Sequence, residues 1–383
     1  MTNSYTWTPF GTNNKKTKLD VEFLKSEVGK LFPFYDMKYN LENAAFYCRI
    51  DKETLEEKFN SLRSSLKEKG YIPMLRYDKG EHIIYILKKT KKKEKSILIN
   101  IFLLIATIIT TILTGSILHI GYFDIWNMPN PIDVIKIENL LYGGLLFAFP
   151  LMSILVIHEM GHYFISKKHG ISTSLPFFIP IPPIIPSFNI GTFGALISSR
   201  DPMPNKKALF DVGISGPIAG FLVAFPITII GIATSEIIFS PEITSGEVVF
   251  GASPIYLLLA HFIHNIPFET NFAIDMSPIA FAGWVGLLIT SINLFPAGQL
   301  DGGHIFRAVL GEKQKYASWI AVFIMVFTGW LFFAFIIIFV IGITHPPPLN
   351  DYGEIDIKRK LLFFVAIAIL ILCYIPYPIY YID

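Results

Sequence analysis

Charged residues are scarce in this sequence. Lys, Arg, Asp and Glu make up 16% of the 383 residues and 52% are hydrophobic, whereas an ordinary soluble domain carries about 25% charged residues. This shortage excludes a typical soluble enzyme, and the long apolar runs predict an integral membrane protein. The net charge of only +2 gives no indication of nucleic-acid binding, so we expect no nucleic-acid partner.

Cysteine is almost absent as well. Cys48 lies in a polar region and Cys373 in an apolar one, so we expect no disulfide and no cysteine-based metal site. We also expect no cleavable signal peptide and no transit-like leader, because the first 90 residues are polar and of mixed charge. The lack of a transit-like leader favours a prokaryotic plasma membrane over an organelle as the location of this multi-pass protein.

Residues 1–93 predict a small soluble α+β domain. The pattern has no cluster of metal ligands and no phosphate-binding loop, and a docking role and a purely structural role fit it equally well. Its predicted elements are a helix over residues 21–32 capped by Asp20, a strand over residues 43–50, a helix capped by Asp51 that runs to about Lys69 and is ended by Gly70, and a hairpin turning at Asp78-Lys79-Gly80.

Apolar segments long enough to cross a bilayer as helices occupy most of the remaining chain. About six are predicted, over residues 97–120, 139–166, 208–233, 277–294, 316–343 and 360–380. The basic run at residues 88–95 places the N-terminal domain in the cytoplasm under the positive-inside rule. Residues 249–266 are expected to form an interfacial or re-entrant helix. In this arrangement Lys358, Arg359 and Lys360 fall in an external loop, against the rule.

An H-E-x-x-H motif lies within the second apolar segment. On a helix, His158 and His162 lie about 40° apart on one face, so two imidazoles can bind one zinc ion. Glu159 lies about 100° from His158 and can reach a metal-bound water as a general base. Residues 140–155 before the motif carry no charge, and ionisable groups at membrane depth indicate function by default.

A third metal ligand is predicted near the end of the segment over residues 277–294. Pro296 and Gly298 break the helix there, so the backbone can turn and aim Asp301 at a point within the bilayer. Gly302 and Gly303 leave room for close packing. Two histidines and one carboxylate, with the fourth position left to water, form a common catalytic zinc site.

Two other features flank this predicted metal site. The proline-rich residues 175–188 exclude a regular helix, so their backbone must be buried or line a water-filled cavity. Residues 189–198 predict a short strand that could bind an extended substrate by strand addition, although a structural hairpin explains the pattern equally well. The candidate substrate-binding residues are Gly191, Thr192, Phe193 and Gly194.

The next apolar segment, over residues 208–233, combines one carboxylate with several glycines. Asp211 lies in its first turn, where the helix dipole favours a carboxylate, and we expect a structural role for it. Gly213, Gly216 and Gly220 lie on roughly one side of the helix, so they allow another helix to pack closely.

Taken together, these motifs resemble those of the site-2 protease family of intramembrane zinc metalloproteases, and most of all its chloroplast and related prokaryotic members. The resemblance covers roughly residues 140–310. The matching motifs are His158-Glu159-Met160-Gly161-His162, the glycine-rich residues 191–195, the helix start DVGISGPIAG over residues 211–220, Asn293-Leu294-Phe295-Pro296, and Leu300-Asp301-Gly302-Gly303.

The resemblance implies a polytopic α-helical membrane protein with a short strand or re-entrant region near the active site. It implies one Zn²⁺ held by His158, His162 and Asp301, with Glu159 as catalytic base and Asn293 holding the substrate carbonyl. The expected activity is hydrolysis of peptide bonds within or near transmembrane helices of substrate proteins, as in regulated intramembrane proteolysis. We expect neither a PDZ insertion nor a CBS pair, and the pattern predicts no particular oligomeric state.

The expected organisation is a cytoplasmic domain over residues 1–93, a protease core over residues 97–310 and C-terminal helices over residues 316–383. Two alternatives are a membrane protease of the CaaX-processing type and a non-enzymatic protein, either a metal transporter or an inactive scaffold. A CaaX-type membrane protease would be expected to use a glutamate as third ligand, which the L-D-G-G stretch disfavours. A metal transporter would place ionisable residues in several spans, and an inactive protease-like scaffold would be expected to lack a catalytic residue.

Overall fold

The computed structural model describes residues 19–78, 80–89, 96–121, 129–183, 190–239 and 248–381. The chain is mostly helical, with a small sheet near its N-terminus. It forms two compact units. The first combines Met1–Lys93 with Leu349–Tyr352, and the second contains Glu94–Pro348 and Gly353–Asp383.

The first unit packs two amphipathic helices against an antiparallel sheet with strand order β1-β2-β4-β3. Alternate residues of β2 are buried, as expected for a sheet with one covered face. The elements are α1 (Val21–Leu31), β1 (Phe34–Tyr39), β2 (Asn43–Cys48), α2 (Leu55–Glu68), β3 (Tyr71–Asp78) and β4 (Glu81–Lys88).

Most of the predicted elements of this unit are confirmed. The Asp20 side chain accepts a hydrogen bond from the N–H of Phe23 and caps α1, and Asp78 pairs with Glu81 across the predicted hairpin, whose Lys79 lies outside the described residues. The predicted cap at Asp51 is wrong, because its carboxylate holds the turn before α2 instead. Strand β1 was not predicted, since its exposed residues mask the apolar alternation.

Four residues from far along the chain complete the first unit. Leu349 is only 4% exposed and belongs to the hydrophobic core of this unit. Its carbonyl accepts a hydrogen bond of 2.8 Å from the N–H of Leu75 in β3, and Asn350 bridges Leu75 in the parallel direction. The ring of Tyr352 packs edge-on against His82. The edge of β3 is therefore covered by this chain's own backbone.

Three of the described helices, all in the second unit, are long and apolar enough to cross a membrane: α3 (Ile97–His119), the continuous helix Ile137–Lys168, and α7 (Lys206–Ala233). They occur where the first three spans were predicted. After the short α4 (Pro131–Val134), the continuous helix consists of α5 (Ile137–Gly143), a π-helical turn at Gly144–Ala148, and α6 (Phe149–Lys168).

The other elements of the second unit are shorter. The three small sheets pair β5 with β6, β7 with β9, and β8 with β10, all antiparallel. The elements are β5 (Phe177–Pro180), β6 (Thr192–Leu196), β7 (Glu236–Phe239), β8 (Val248–Phe250), α8 (Pro254–His264), β9 (Phe272–Asp275), α9 (Pro278–Leu294), α10 (Asp301–Leu310), a 3-10 turn (Gly311–Lys313), α11 (Gln314–Phe327), α12 (Leu331–Ile336), a π-helical turn (Ile337–Ile341), α13 (Ile357–Cys373) and β10 (Ile379–Tyr381).

Two further sequence-based expectations can be compared with these elements. Helix α8 has 11 residues, a rise of about 16 Å, so it is too short to cross a hydrocarbon core of about 30 Å. This agrees with the interfacial or re-entrant helix expected over residues 249–266. Helix α9 occurs where the fourth span was predicted. Residues 184–188 of the proline-rich stretch and Asn189 of the predicted strand lie outside the described residues.

The predicted single span over residues 316–343 is wrong. Helix α11 ends at a glycine cap, where Gly329 has φ +75° and the Trp330 N–H bonds back to the Met325 carbonyl. The chain then returns through α12, and the Gln314 side-chain amide donates to the Ile343 carbonyl at 3.2 Å. The two ends of this segment therefore meet, and it forms a helical hairpin.

The placement of residues 358–360 in an external loop is also corrected. The Arg359 side chain pairs with Asp211 near the start of α7, so the start of α13 lies at the same end of the unit as the start of α7. Strand β10 follows α13 and pairs with β8. Strand β8 lies in the connection from the end of α7 to α9, at the other end of the unit from Asp211. Helix α13 therefore runs from one end of the unit to the other.

Candidate metal centre

Helix α6 carries both histidines and the glutamate of the H-E-x-x-H motif. His158 and His162 are buried, at 4% and 9% exposure, and Glu159 is 8% exposed. The Nε2 atoms of the two histidines lie 3.2 Å apart. The predicted helical spacing therefore brings two imidazole nitrogens to one point inside the helical unit.

Asp301 meets these histidines from another part of the chain. It is the first residue of α10, and its Oδ2 lies 3.3 Å from His158 Nε2 and 3.2 Å from His162 Nε2. Gly302, the next residue, lets the start of α10 pack closely against the end of α9, because a β-carbon there would lie 2.0 Å from the Leu294 carbonyl oxygen. We call His158, His162 and Asp301 the donor triangle.

The dimensions of the donor triangle fit a zinc ion. Its three edges measure 3.2, 3.2 and 3.3 Å. A tetrahedral zinc with ligand bonds of about 2.0–2.1 Å separates its ligand atoms by about 3.3 Å. Two imidazole nitrogens and one carboxylate oxygen are also a donor set that zinc prefers, and they leave one tetrahedral position for water or substrate.

The tautomer of His162 is set by a backbone carbonyl. His162 Nδ1 lies 2.7 Å from the carbonyl oxygen of Val212 in α7, so Nδ1 carries the proton and donates it there. Nε2 is then left with its lone pair toward the donor triangle. The sequence contains no indication of this contact, because any residue at position 212 would present the same carbonyl.

Glycines on α7 make room for the imidazoles. A β-carbon at Gly216 would lie 2.1 Å from His162 Nε2, and one at Gly220 would lie 3.0 Å from His158 Nδ1. A β-carbon at Gly213 would lie 2.7 Å from the Cβ of His304 in α10. The expected close helix packing is therefore present, and two of these glycines also seat the histidine rings.

Asn293 and Glu159 lie beside the donor triangle. Asn293 is in the last turn of α9, and its Nδ2 is 3.5 Å from His158 Nε2. Glu159 follows His158 directly on α6 and is buried beside it. The structure thus brings all five sequence-predicted metal and catalytic residues into one region, on α6, α9 and α10.

The candidate substrate strand forms one side of a two-stranded hairpin. Residues Thr192 to Leu196 pair with β5, and Thr110 in α3 donates a 2.7 Å hydrogen bond to the Gly191 carbonyl. Gly191 has φ +79°, and a β-carbon there would lie 2.7 Å from the backbone of α3, which is the close approach expected from the sequence. No described strand pairs with the other edge of β6, and Phe193 is 78% exposed.

His261 and His264, three residues apart on α8, do not converge on a second site. His261 Nδ1 and His264 Nε2 each contact a backbone carbonyl, those of Ile266 and Ile232. Across the part of the chain that the structure describes, the donor triangle is the one group of three His, Cys, Asp or Glu whose donor atoms lie within 4.8 Å of one another.

Comparison with known proteins gives a consistent result. Residues 146–334 match the family model described as Peptidase family M50. The chain is 25% identical over 260 residues to a protein of Oryza sativa subsp. japonica named "Probable zinc metalloprotease EGY1, chloroplastic", covering 64% of this chain and 43% of that protein.

Two further relatives carry similar names. The chain is 30% identical over 252 residues to "Probable zinc metalloprotease EGY2, chloroplastic" of Oryza sativa subsp. indica, covering 63% of this chain and 44% of that protein. It is 24% identical over 265 residues to the EGY1 protein of Arabidopsis thaliana, covering 67% and 47%. The chain thus spans less than half the length of these relatives.

The family match includes the whole of the donor triangle as well as Glu159 and Asn293, since all five lie between residues 146 and 334. Residues 146–334 of this chain are therefore a peptidase family M50 domain, homologous to the chloroplastic EGY zinc metalloproteases.

Proposed function

We propose that this protein is an intramembrane zinc metalloprotease, which hydrolyses peptide bonds within or near transmembrane helices of substrate proteins. One observation carries the proposal: three donor atoms with edges of 3.2–3.3 Å lie on helices of an apolar unit, next to a buried glutamate. The names of the relatives support zinc as the metal. Zinc, when bound, supplies Lewis acidity toward water and the scissile carbonyl.

Each residue around the triangle has a proposed role. His158, His162 and Asp301 hold the ion. Glu159 accepts a proton from the attacking water and delivers it to the leaving amine, as a general base and then a general acid. Asn293 Nδ2, 3.5 Å from His158 Nε2, donates a hydrogen bond to the oxygen of the scissile carbonyl as its negative charge develops.

The substrate has to be extended before it can react. The carbonyls of a transmembrane helix are hydrogen-bonded within that helix, so a segment of the substrate must unwind near the donor triangle. The open edge of β6 offers backbone hydrogen-bonding groups to such a segment, by strand addition. Gly191 and Gly194 both have positive φ angles. Gly191 precedes the strand and Gly194 lies within it, so the regular edge is short and can bind only a short length of substrate.

We also propose a membrane orientation, based on the continuity of the chain and the positive-inside rule. Residues 349–352 group with the N-terminal residues and are separated from the start of α13 by only four residues in the chain, so we propose that the connection before α13 is cytoplasmic. With the Lys-rich residues 88–95 on the cytoplasmic side, Lys358, Arg359 and Lys360 are also cytoplasmic and obey the positive-inside rule. The α11–α12 hairpin enters and leaves from this side, and α13 crosses outward.

The multi-pass membrane protein acts on a transmembrane-helix substrate in a lipid bilayer. The relatives are named chloroplastic and lend no support to the expected prokaryotic plasma membrane. We therefore propose only an orientation in the membrane, in which residues 88–95 lie on the cytoplasmic side.

The test combines metal content with cleavage. Wild type, Glu159→Gln, Asp301→Ala and the control Glu138→Gln are purified in detergent and incubated with a transmembrane-helix fusion protein. Glu138 lies on the same continuous helix but is exposed. Zinc is measured by elemental analysis. We expect Glu159→Gln to keep zinc and lose cleavage, Asp301→Ala to lose both, and Glu138→Gln to match wild type.

Other outcomes contradict the proposal in defined ways. Full cleavage by Glu159→Gln would refute the role of Glu159 as general base and general acid. Retention of zinc by Asp301→Ala would place the third ligand elsewhere. A wild type that binds zinc but cuts no member of a panel of transmembrane substrates would favour an inactive scaffold, and zinc transport into vesicles would favour a transporter.

A further inference from the structure

A carboxylate on α7 joins three helices at one end of the second unit. Arg359, near the start of α13, donates from Nε to Asp211 Oδ1 at 2.7 Å and from Nη2 to Asp211 Oδ2 at 2.6 Å. His169, the residue after α6, has its Nε2 3.0 Å from the same Oδ2. We call His169, Asp211 and Arg359 the Asp211 clamp.

The arginine in this clamp is held in place on its own helix. Asp356 caps α13 by accepting a 3.0 Å hydrogen bond from the Arg359 N–H, and its other carboxylate oxygen pairs with Arg359 Nη1. The side chains of Arg359 and Asp211 are only 22% and 23% exposed. A partly buried, two-bond arginine–carboxylate pair specifies geometry as well as charge, and lysine cannot reproduce it.

The clamp is one residue away from a group that orients a proposed zinc ligand. Val212 follows Asp211, and its carbonyl lies 2.7 Å from His162 Nδ1. Helices α6 and α7 meet at backbone contact here, since a β-carbon at Gly161 of α6 would lie 2.7 Å from the Ser215 carbonyl oxygen of α7. A small shift of the first turns of α7 would therefore move the Val212 carbonyl away from the imidazole.

We propose that Arg359 is a positioning residue for the metal centre. Through Asp211 it holds α7 where the Val212 carbonyl can accept the Nδ1 proton of His162, which keeps Nε2 available to the donor triangle. The inference rests on the proposed function only in requiring that the donor triangle binds zinc. Asp211 is thus more than a carboxylate favoured by the helix dipole: it transmits the position of α13 to the metal centre.

The experiment measures zinc binding directly. The full-length protein in detergent is titrated against a chromogenic zinc chelator for wild type, Arg359→Ala, Arg359→Lys and Asp211→Asn. The matched control is Lys358→Ala, which removes the same charge from the neighbouring exposed residue. Thermal unfolding is recorded for each protein with and without zinc, because zinc that binds the folded state raises Tm.

We expect Arg359→Ala to raise the zinc dissociation constant about 10-fold, the lower end of the roughly 10–100-fold effect of removing an outer-shell partner. Arg359→Lys should recover part of the loss, because it keeps the charge without the two-bond geometry. The zinc-dependent rise in Tm should shrink in both variants and in Asp211→Asn. Lys358→Ala should bind zinc as wild type does.

A purely structural role predicts a different pattern. Arg359→Ala would then lower the Tm of the zinc-free protein and leave the zinc dissociation constant unchanged, which overturns the inference but not the proposed function. If Arg359→Ala does not fold, the same comparison is made with Arg359→Lys. A wild type that binds no zinc would overturn the proposed function, and this inference with it.

Discussion

Gly216→Ala tests whether the His162 ring needs the space that the absence of a side chain at Gly216 leaves beside α7. The added β-carbon would lie 2.1 Å from His162 Nε2 and within 2.6 Å of both neighbouring ring carbons. Ordinary contact begins near 3.4 Å, so the ring must move by more than about 1 Å. Catalytic and metal sites tolerate displacements of about 0.5 Å, and the nitrogen that moves is itself a proposed zinc ligand.

The helix itself should tolerate this change. Alanine is favoured over glycine in a helix interior by about 1 kcal/mol, so a loss of zinc cannot be ascribed to a weaker α7. Removing an outer-shell partner alone costs roughly 10–100-fold in metal affinity, and here a ligand is displaced. We therefore expect the zinc dissociation constant of Gly216→Ala to rise by more than about 100-fold.

A graded series provides the controls, with chelator competition as the assay and Tm as the check on folding. At Gly220 the added β-carbon would lie 3.0 Å from His158 Nδ1, so the ring need give only a few tenths of an ångström, and the effect should stay within about 10-fold. At Gly144 the nearest atom is 3.8 Å away, and Gly144→Ala should leave zinc binding unchanged. A wild-type zinc dissociation constant in Gly216→Ala would refute the inference that the His162 ring packs directly against α7 at Gly216.

Two further outcomes test the first unit and the orientation of the chain. Leu349→Ala, at a site only 4% exposed, should destabilise the first unit by about 2–3 kcal/mol. The Cys48 thiol, whose pKa burial raises to about 12, should then react faster with a thiol reagent in a Cys373→Ser background; an unchanged rate would mean that Leu349 adds nothing to that core. In sealed vesicles, cysteines introduced by Glu354→Cys and Glu68→Cys should be labelled from the same side by an impermeant reagent. Labelling from opposite sides would restore the six-span arrangement.

Several features of this protein depend on short-range pattern, and the sequence was sufficient to predict them. His158, Glu159 and His162 belong to one helix, and the 3.6-residue repeat alone brings them to one face. Spans without charge, such as α3, follow from the cost of exposing backbone and charge to lipid. The distant Asp301 could also be predicted, because proline and glycine break the helix before an otherwise unpartnered carboxylate.

Tertiary structure alone decided the contacts between distant parts of the chain. Apolar composition over residues 316–343 reports burial in lipid but not the direction of the chain, so a hairpin and a single span look alike. Arg359 and Asp211 are 148 positions apart, and no local pattern pairs them. Leu349 packs into the core of the first unit, whose other residues come from the N-terminal part of the sequence. A backbone carbonyl such as that of Val212 has no residue identity at all, and only the packing of α6 against α7 could select it as the acceptor that orients His162.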